Sequence, residues 1–349
     1  MRGPNPFVPW GAGQADFKGR KQELEAYRSM LKQAEGRRPM ALLVEGAPGS
    51  GRSALLRRFA EEAEREGFFA PIFSAGGGEK LSSLIPKMRA GLANYAEEKA
   101  AEGAITGRVA AAMRSAADEG DFLVSFCRIT VKHAPGLVVL IDGADRLKEP
   151  SGLEAFLREE LRKAGAQGLG LLVVLSSTRG FPGFRGLGRA ARLGAFDEHD
   201  IREMVESALK KGPPKMGEEC LRSVIEESGG NPLVAKTICW VIYDKLPDKE
   251  KVITQRHYLT YYPLIMGTLA REFFDPLYEE LPDSERQVLR AFAAEGKPAH
   301  ISDIARKIGK RHATTLAMRL AGRGQLERVD RGLYKVFTKL YGRYVLQRG

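Results

Sequence analysis

The sequence predicts an α/β chain: a parallel sheet with helices on both faces, followed by a stretch that is helical alone. Three observations carry this. The runs MALLVEG (40–46), GLVVLID (136–142) and GLGLLVVLSS (168–177) are of strand length and continuously apolar, which fits strands buried on both faces. Segments of helical periodicity separate them, and that alternation builds a parallel sheet. After about residue 197 the strand-type runs stop and helical patterns take over.

In order along the chain, an irregular Pro/Gly-rich arm (1–16) precedes a helix over about 20–35 with Leu24, Tyr27 and Leu31 on one face. The strand at 40–46 enters a glycine-rich loop, and SALLRRFAEEAEREG then reads as a helix ended by Gly67. A strand at about 68–74, a mostly helical, charged stretch to about 134, and the strands at 136–142 and 168–177, separated by the helical GLEAFLREELRKAG, complete the first part, 17–196. DEHDIREMVESALKKG opens a helical lid and connector, 197–280. In the last part, 281–349, SERQVLRAFAAEG, ISDIARKIG and HATTLAMRLAGRG read as three short helices, and LERVDRGLYKVF as a hairpin turning at Asp330–Gly332. That order predicts a winged helix. Ser284 with Gln287 fits a capping box for its first helix, and Leu316, Met318 and Leu320 are expected in its core.

A chain of 349 residues, 43% hydrophobic, is long enough for two or three domains. Cys127, Cys220 and Cys239 are scattered and odd in number, which argues for buried thiols in a reducing compartment rather than a disulfide framework. The five histidines fall at no metal-ligand spacing. No apolar run is of bilayer-crossing length and none reads as a signal peptide, so no membrane partner and a cytoplasmic location are expected. Of the formal charge of +11, residues 297–349 carry +10, from thirteen Lys/Arg against three Asp/Glu. A cationic excess on one module is the footprint of a polyanion partner.

Chemistry begins at GAPGSGRS (46–53), which has the spacing of a phosphate-binding loop, GxxxxGK[ST], between a buried strand and an amphipathic helix. The plain alternative, a glycine turn capping a strand, would not need that context. Gly46, Ala47, Pro48, Gly49, Ser50, Gly51, Arg52, Ser53 and Ala54 form the expected cradle. Its backbone N–H groups and the following helix dipole favour phosphate. Ser53 is a candidate Mg²⁺ ligand. Arg52 departs from the pattern, being wider and planar where lysine is a compact point charge, so nucleotide binding is expected to survive better than turnover. Asp142, at the end of the 136–142 strand, is the second candidate metal residue. Asp145 is the candidate for orienting an attacking water, with a turn aspartate as the alternative.

Together these stations resemble the STAND branch of AAA+-like P-loop ATPases, most closely the archaeal ATPases with an ATPase domain, a helical lid and a C-terminal winged helix. FKGRKQEL (17–24) is similar to the hhGRxxEL signature, DGAD to a Walker B, SSTR (176–179) to the hhhToR sensor and GGNPL (229–233) to the GxP lid motif. The resemblance implies the ASCE type of P-loop NTPase fold, ATP or ADP with Mg²⁺ as cofactors, and a nucleotide-dependent oligomer or protein partner. It implies Gly19 and Arg20 near the base, Arg179 reading the γ-phosphate, and Pro232 against the adenine. In the winged helix, Lys310, Arg311, Arg319 and Arg323 would face duplex DNA from the recognition helix, with Arg328, Arg331 and Lys335 on the wing; the alternative is an intramolecular clamp or protein-docking module. The leading expectation is a slowly hydrolysing ATP switch whose nucleotide state positions this module. A replication initiator or helicase loader, and a scaffold holding nucleotide without turnover, are the rival readings.

Overall fold

The structure, a computed structural model, describes residues 3–10, 17–178, 180–181, 183–210, 212, 214–309 and 312–348, without the side chain of Arg185. The chain divides into two compact units, one of Arg20–Gly46 and Arg52–Leu193, the other of Met1–Gly19, Ala47–Gly51 and Gly194–Gly349.

The first unit contains α1 (Lys21–Glu35), β1 (Met40–Gly46), α2 (Arg52–Arg65), β2 (Ile72–Ser74), α3 (Leu81–Ala101), α4 (Gly107–Ala117), α5 (Phe122–Thr130), β3 (Leu137–Asp142), α6 (Pro150–Ala166), β4 (Leu171–Ser177) and β5 (Gly188–Leu193). Five parallel strands stand in the order β2-β3-β4-β1-β5. Val174 of β4 lies between Leu42 of β1 and Leu140 of β3, so the loop strand and the acidic strand are separated by one strand. Every residue of β4 is buried. Ala41, Leu43, Val139, Ile141, Val173 and Leu175 pack with Phe122, Leu153 and Leu157 from the helices. Full burial of an aliphatic side chain contributes about 1.5–3 kcal/mol, so these unbroken apolar runs hold the sheet together.

Two strands differ from expectation. The ladder of β2 is regular only over Ile72–Ser74, with a single bridge from Phe69 to Leu137 before it. Pro71 has no N–H to donate, and the Ala70 N–H donates to the Tyr95 hydroxyl instead (2.9 Å). The edge strand β5, GRAARL, was not anticipated: with five of its six residues at least partly exposed, it carries no apolar run to signal it.

The second unit holds α7 (Glu198–Ala208), β6 (Lys215–Met216), α8 (Glu218–Ser228), α9 (Pro232–Lys245), β7 (Val252–Ile253), α10 (Gln255–Leu269), α11 (Asp275–Glu279), α12 (Asp283–Glu295), β8 (Ala299–His300), α13 (Ile301–Ile308), α14 (Ala313–Gly322), β9 (Leu326–Asp330), β10 (Leu333–Val336) and α15 (Lys339–Gln347). One apolar core runs from Ile201 in α7 to Val345 in α15. The helices expected of a lid and those of the C-terminal module therefore share an interior, in which Phe274 packs at a tilt against Tyr341 and Tyr344. The three C-terminal helices and the hairpin form as expected, with Gly332 at φ 72 in the turn. β8 adds a third strand beside β10.

Two local expectations fail. The first of these helices starts at Asp283 behind Pro282, with no side-chain cap. Ser284 is thus already inside the helix, and the capping box with Gln287 does not form. Leu316 and Leu320 are buried, but Met318 is 62% exposed, because it lies on the outer side of α14 beside Arg319. Phe7 is buried edge-on to Tyr243, and Asn5 Nδ2 donates to the Trp240 carbonyl at 2.9 Å.

All three cysteines are buried free thiols, with burial pushing Cys127 and Cys220 up to about 12. Among the described residues no His, Cys, Asp or Glu cluster is arranged to hold a metal, and no helix is long and apolar enough to cross a membrane.

Candidate nucleotide site

In the α/β unit, the strand ends gather a hydrogen-bonded set around Asp142. β3 delivers Asp142 at its C-terminal end, and the first turn of α2 delivers Ser53, whose Oγ donates to Asp142 Oδ2 at 2.6 Å. Ser176, near the end of the neighbouring β4, donates its Oγ to Asp142 Oδ1 and accepts the Gly143 N–H at 2.8 Å. A hydroxyl and a carboxylate are hard oxygen donors of the kind that Mg²⁺ takes, so this pair fits the metal that the loop motif implies.

Arg52 points to the same strand ends. Its Nη1 donates to Thr178 Oγ1 at 2.8 Å. Burial lowers the guanidinium's pKa, an effect opposed by Asp145 and Asp142 and reinforced by Arg146. Asp145 accepts the Thr178 N–H through Oδ2 (3.0 Å), while its buried Oδ1 has no hydrogen-bond partner among the described residues. An orphaned carboxylate oxygen is costly, and a water or ligand donor would satisfy it. Ala54 follows in α2, half-buried.

The loop residues Ala47–Gly51 group with the helical unit. Gly49 and Gly51 adopt φ of 74 and 92, open to glycine and strained for other residues. A Cβ on Gly49 would also lie 2.6 Å from Asn231 Oδ1. Asn231 caps α9 through the Leu233 and Val234 N–H groups and donates its Nδ2 to the Pro48 carbonyl at 2.9 Å. Leu233 N donates to the Gly49 carbonyl at 3.3 Å, and the Pro232 ring comes within 3.9 Å of a Cβ position on Gly51. On the other side, a Cβ on Gly324, at the turn after α14, would meet Pro48 Cδ at 2.6 Å and Ala47 Cα at 2.8 Å. Gly46 ends β1, paired with Leu193. Ser50 is buried and donates its N–H to the Ala47 carbonyl at 3.1 Å. Gly19, at φ 73, would place a Cβ 3.1 Å from the Phe196 ring, and Arg20 begins α1 in a left-handed conformation.

The sequence reading missed Ser176, Thr178, Asn231 and Gly324. Asn-Pro at a helix start is a signal for the Asn231 cap, and a polar residue ending an otherwise apolar strand marks Ser176. Nothing local marks Gly324.

The C-terminal cations are less available than their count implies. Arg323 lies against buried Glu285 (3.5 Å) and donates to the Glu280 carbonyl at 3.3 Å, and Lys335 pairs with Glu327 at 3.1 Å. Lys307, Lys339, Arg343 and Arg348 pair with Glu295, Glu226, Glu227 and Asp275, acids outside the 297–349 segment. Arg319, Arg328 and Arg331 are exposed, Arg328 donating Nε to the Asp330 carbonyl at 3.2 Å. Arg179, Lys310 and Arg311 lie outside the described residues.

Comparison with known proteins agrees with the loop and the sheet. Residues 16–174 match the family described as AAA ATPase domain. Among solved structures, the Walker-type ATPase of Pyrococcus abyssi superposes with a TM-score of 0.69 at 15% identity, covering 96% of this chain and 97% of that one. Cdc6p of Pyrobaculum aerophilum gives 0.52 at 15% identity (98% and 97% covered). The RuvB Holliday junction branch migration motor of Thermotoga maritima gives 0.50 at 19% (95% and 96% covered). No curated protein sequence matches. At these identities the structural likeness is one of fold. Residues 16–174 are thus similar to an AAA ATPase domain, in a chain that has the P-loop ATPase fold.

Proposed function

We propose that this chain is an ATP-binding molecular switch that hydrolyses slowly and whose nucleotide state positions a basic winged helix on double-stranded DNA. The observation that carries the nucleotide reading is the Ser53–Asp142 pair, at 2.6 Å, in a segment that matches an AAA ATPase domain. Ser53 and Asp142 are the residues that would hold Mg²⁺, which when bound neutralises phosphate charge. The loop N–H groups and the start of α2 bind the phosphates, and Pro232 packs against the base. Arg52 contributes a guanidinium beside the phosphates. Asp145, whose Oδ1 has no hydrogen-bond partner among the described residues, holds a water in place, and Arg179 has the sensor role. Slow turnover follows from Arg52: a planar group already bonded to Thr178 is a poorer match than an ammonium for charge developing on a transferred phosphoryl group.

Exposed Arg319, Arg328 and Arg331 support the DNA reading, to which the sequence adds Lys310 and Arg311 as candidate contacts. RuvB, which shares the fold, is described as a Holliday junction branch migration motor. The test is to identify and quantify nucleotide in the purified protein, then to assay turnover with and without duplex DNA. Nucleotide present with slow, DNA-responsive turnover is the expected result. Retained nucleotide with no turnover points to the scaffold reading, and sequence-selective duplex binding to an initiator.

A further inference from the structure

The entry edge of the parallel sheet carries charge that the nucleotide site does not use. β4 lies between β1 and β3, with Met40 opposite Leu172 and Leu137 opposite Leu171, so the chain enters all three strands at one edge. Ligands of such sheets gather at the carboxyl ends, where Asp142 stands. The six residues of β3, at about 3.3 Å each, put the entry edge about 20 Å from it. Two segments meet there over the start of β4. A Cβ on Gly170 would lie 2.6 Å from the Ala34 carbonyl oxygen and 3.0 Å from that of Pro135, and one on Gly165 would lie 3.9 Å from Pro39 Cγ. Arg37 and Arg38, just before β1, therefore stand near Lys132 and His133, just before β3, at roughly twice the strand spacing, about 10 Å.

The cations of this edge are unengaged. Arg37, Arg38 and Lys132 are exposed, and among the described residues no hydrogen bond or ion pair holds their side chains. Arg128 donates to the neutral Gln167 Oε1 at 3.1 Å. Glu35 and Glu66 are exposed as well, but Lys32 and Arg65 accompany them, so the edge stays cationic. Arg37 also has φ 59, its N–H closing the end of α1 on the Ala34 carbonyl (2.8 Å). Glycine would hold that turn at less cost, so backbone preference does not account for the arginine.

The makeup of the edge selects among anionic partners. Residues 32–39, 128–136 and 163–170 contain no Phe, Tyr or Trp, and none of the exposed large hydrophobic side chains belongs to them. A protein interface is built on an apolar or aromatic centre, stable membrane attachment takes buried apolar surface besides charge, and single strands stack on rings. The phosphate backbone of a duplex takes cations alone.

We propose that the entry edge of the α/β unit is a binding surface for the phosphate backbone of a DNA duplex, held without sequence preference by Arg37, Arg38 and Lys132. Its residues are not those assigned to DNA above, and it does not rest on that assignment. The test follows a fluorescent, random-sequence DNA duplex binding to the full chain at low salt, for wild type and for Arg319→Glu with Arg331→Glu, which removes contacts of the C-terminal module. Wild type is expected to bind in two phases. The double variant should keep the phase due to the edge, and three contacts at about −0.9 each predict that a four-fold rise in salt weakens it about 40-fold.

Adding Arg37→Gly, Arg38→Gln and Lys132→Gln to the double variant should weaken that phase at least ten-fold. ATP affinity should hold, and melting should not fall, since glycine relieves the backbone at position 37. No duplex binding by the double variant, or binding that the three edge substitutions leave unchanged, overturns the proposal and leaves the C-terminal reading standing. If the edge substitutions release the protein from phosphatidylserine vesicles and not from duplex, the partner is a lipid surface and the proposal falls. If the combined variant does not fold, Arg37→Gly alone in the double variant should reduce the same salt response to about 12-fold, the value for two contacts; an unchanged response overturns the role of the edge.

Discussion

At the scale of single residues, Arg52 decides what the loop can do. If Arg52 contacts phosphate as proposed, removing its charge takes that contact away, so Arg52→Ala should weaken ATP binding by at least ~1.5 kcal/mol. Calorimetry checks this, and unchanged affinity would remove the arginine from the site. Asp145→Asn keeps an oxygen for the Thr178 N–H but loses the carboxylate that places a water. Single-turnover hydrolysis should fall about 10²-fold or more with ATP still bound, and a variant as fast as its parent would make Asp145 a turn residue only. Away from the site, Glu160 is buried and accepts the Val124 N–H at 2.9 Å. Burial raises its pKa from the ordinary 4.5 to about 7, with the Val124 bond opposing. The folded state thus holds a proton that the unfolded chain releases, and stability present at low pH is lost as pH rises from about 4.5 to about 7. Glu160→Gln should therefore melt higher than wild type at pH 8, by at most about 3 kcal/mol, and level with it below pH 4.5. Equal melting at pH 8 would refute the burial argument.

At the scale of elements, legibility followed burial. β1, β3 and β4 are buried on both faces, and their apolar runs could be read directly, whereas β5 is exposed and GRAARL gave no periodic signal. Asp142 and Ser53 were legible because each ends or begins such an element. Their link to Ser176 depends on β4 lying beside β3, which is a pairing between strands and not a local pattern. Met318 was misassigned because a helix of ten residues offers little periodicity for telling its inner from its outer face. The start of α9 is where element and site meet. Asn231→Ala removes both the helix cap and the bond to Pro48, and should cost roughly 1–2 kcal/mol of stability while weakening nucleotide binding. Thermal melting and ATP titration measure the two losses, and a variant that loses stability alone would separate the cap from the loop.

At the scale of the whole molecule, about half of the C-terminal excess of +10 is paired with acids contributed by α8, α11 and α12, so sequence charge overstates the field a polyanion would meet. With the exposed Arg319, Arg328 and Arg331 as the contacts to phosphate, duplex binding should weaken with salt at a slope of roughly −3, at about −0.9 per phosphate contact. Arg319→Glu with Arg331→Glu should flatten that slope and leave ATP affinity unchanged. A flat response in wild type would leave the module without a nucleic-acid role. The membership of Ala47–Gly51 in the helical unit bears on any attempt to dissect the protein by truncation. A fragment of residues 20–193 would carry Arg52, Ser53, Asp142, Asp145 and all five parallel strands. It would lack Asn231, Leu233 and Gly324, the groups that fix Pro48 and Gly49. Such a fragment should fold, show the sheet by circular dichroism and bind nucleotide feebly, and its silence in a binding assay would report a missing brace rather than missing chemistry.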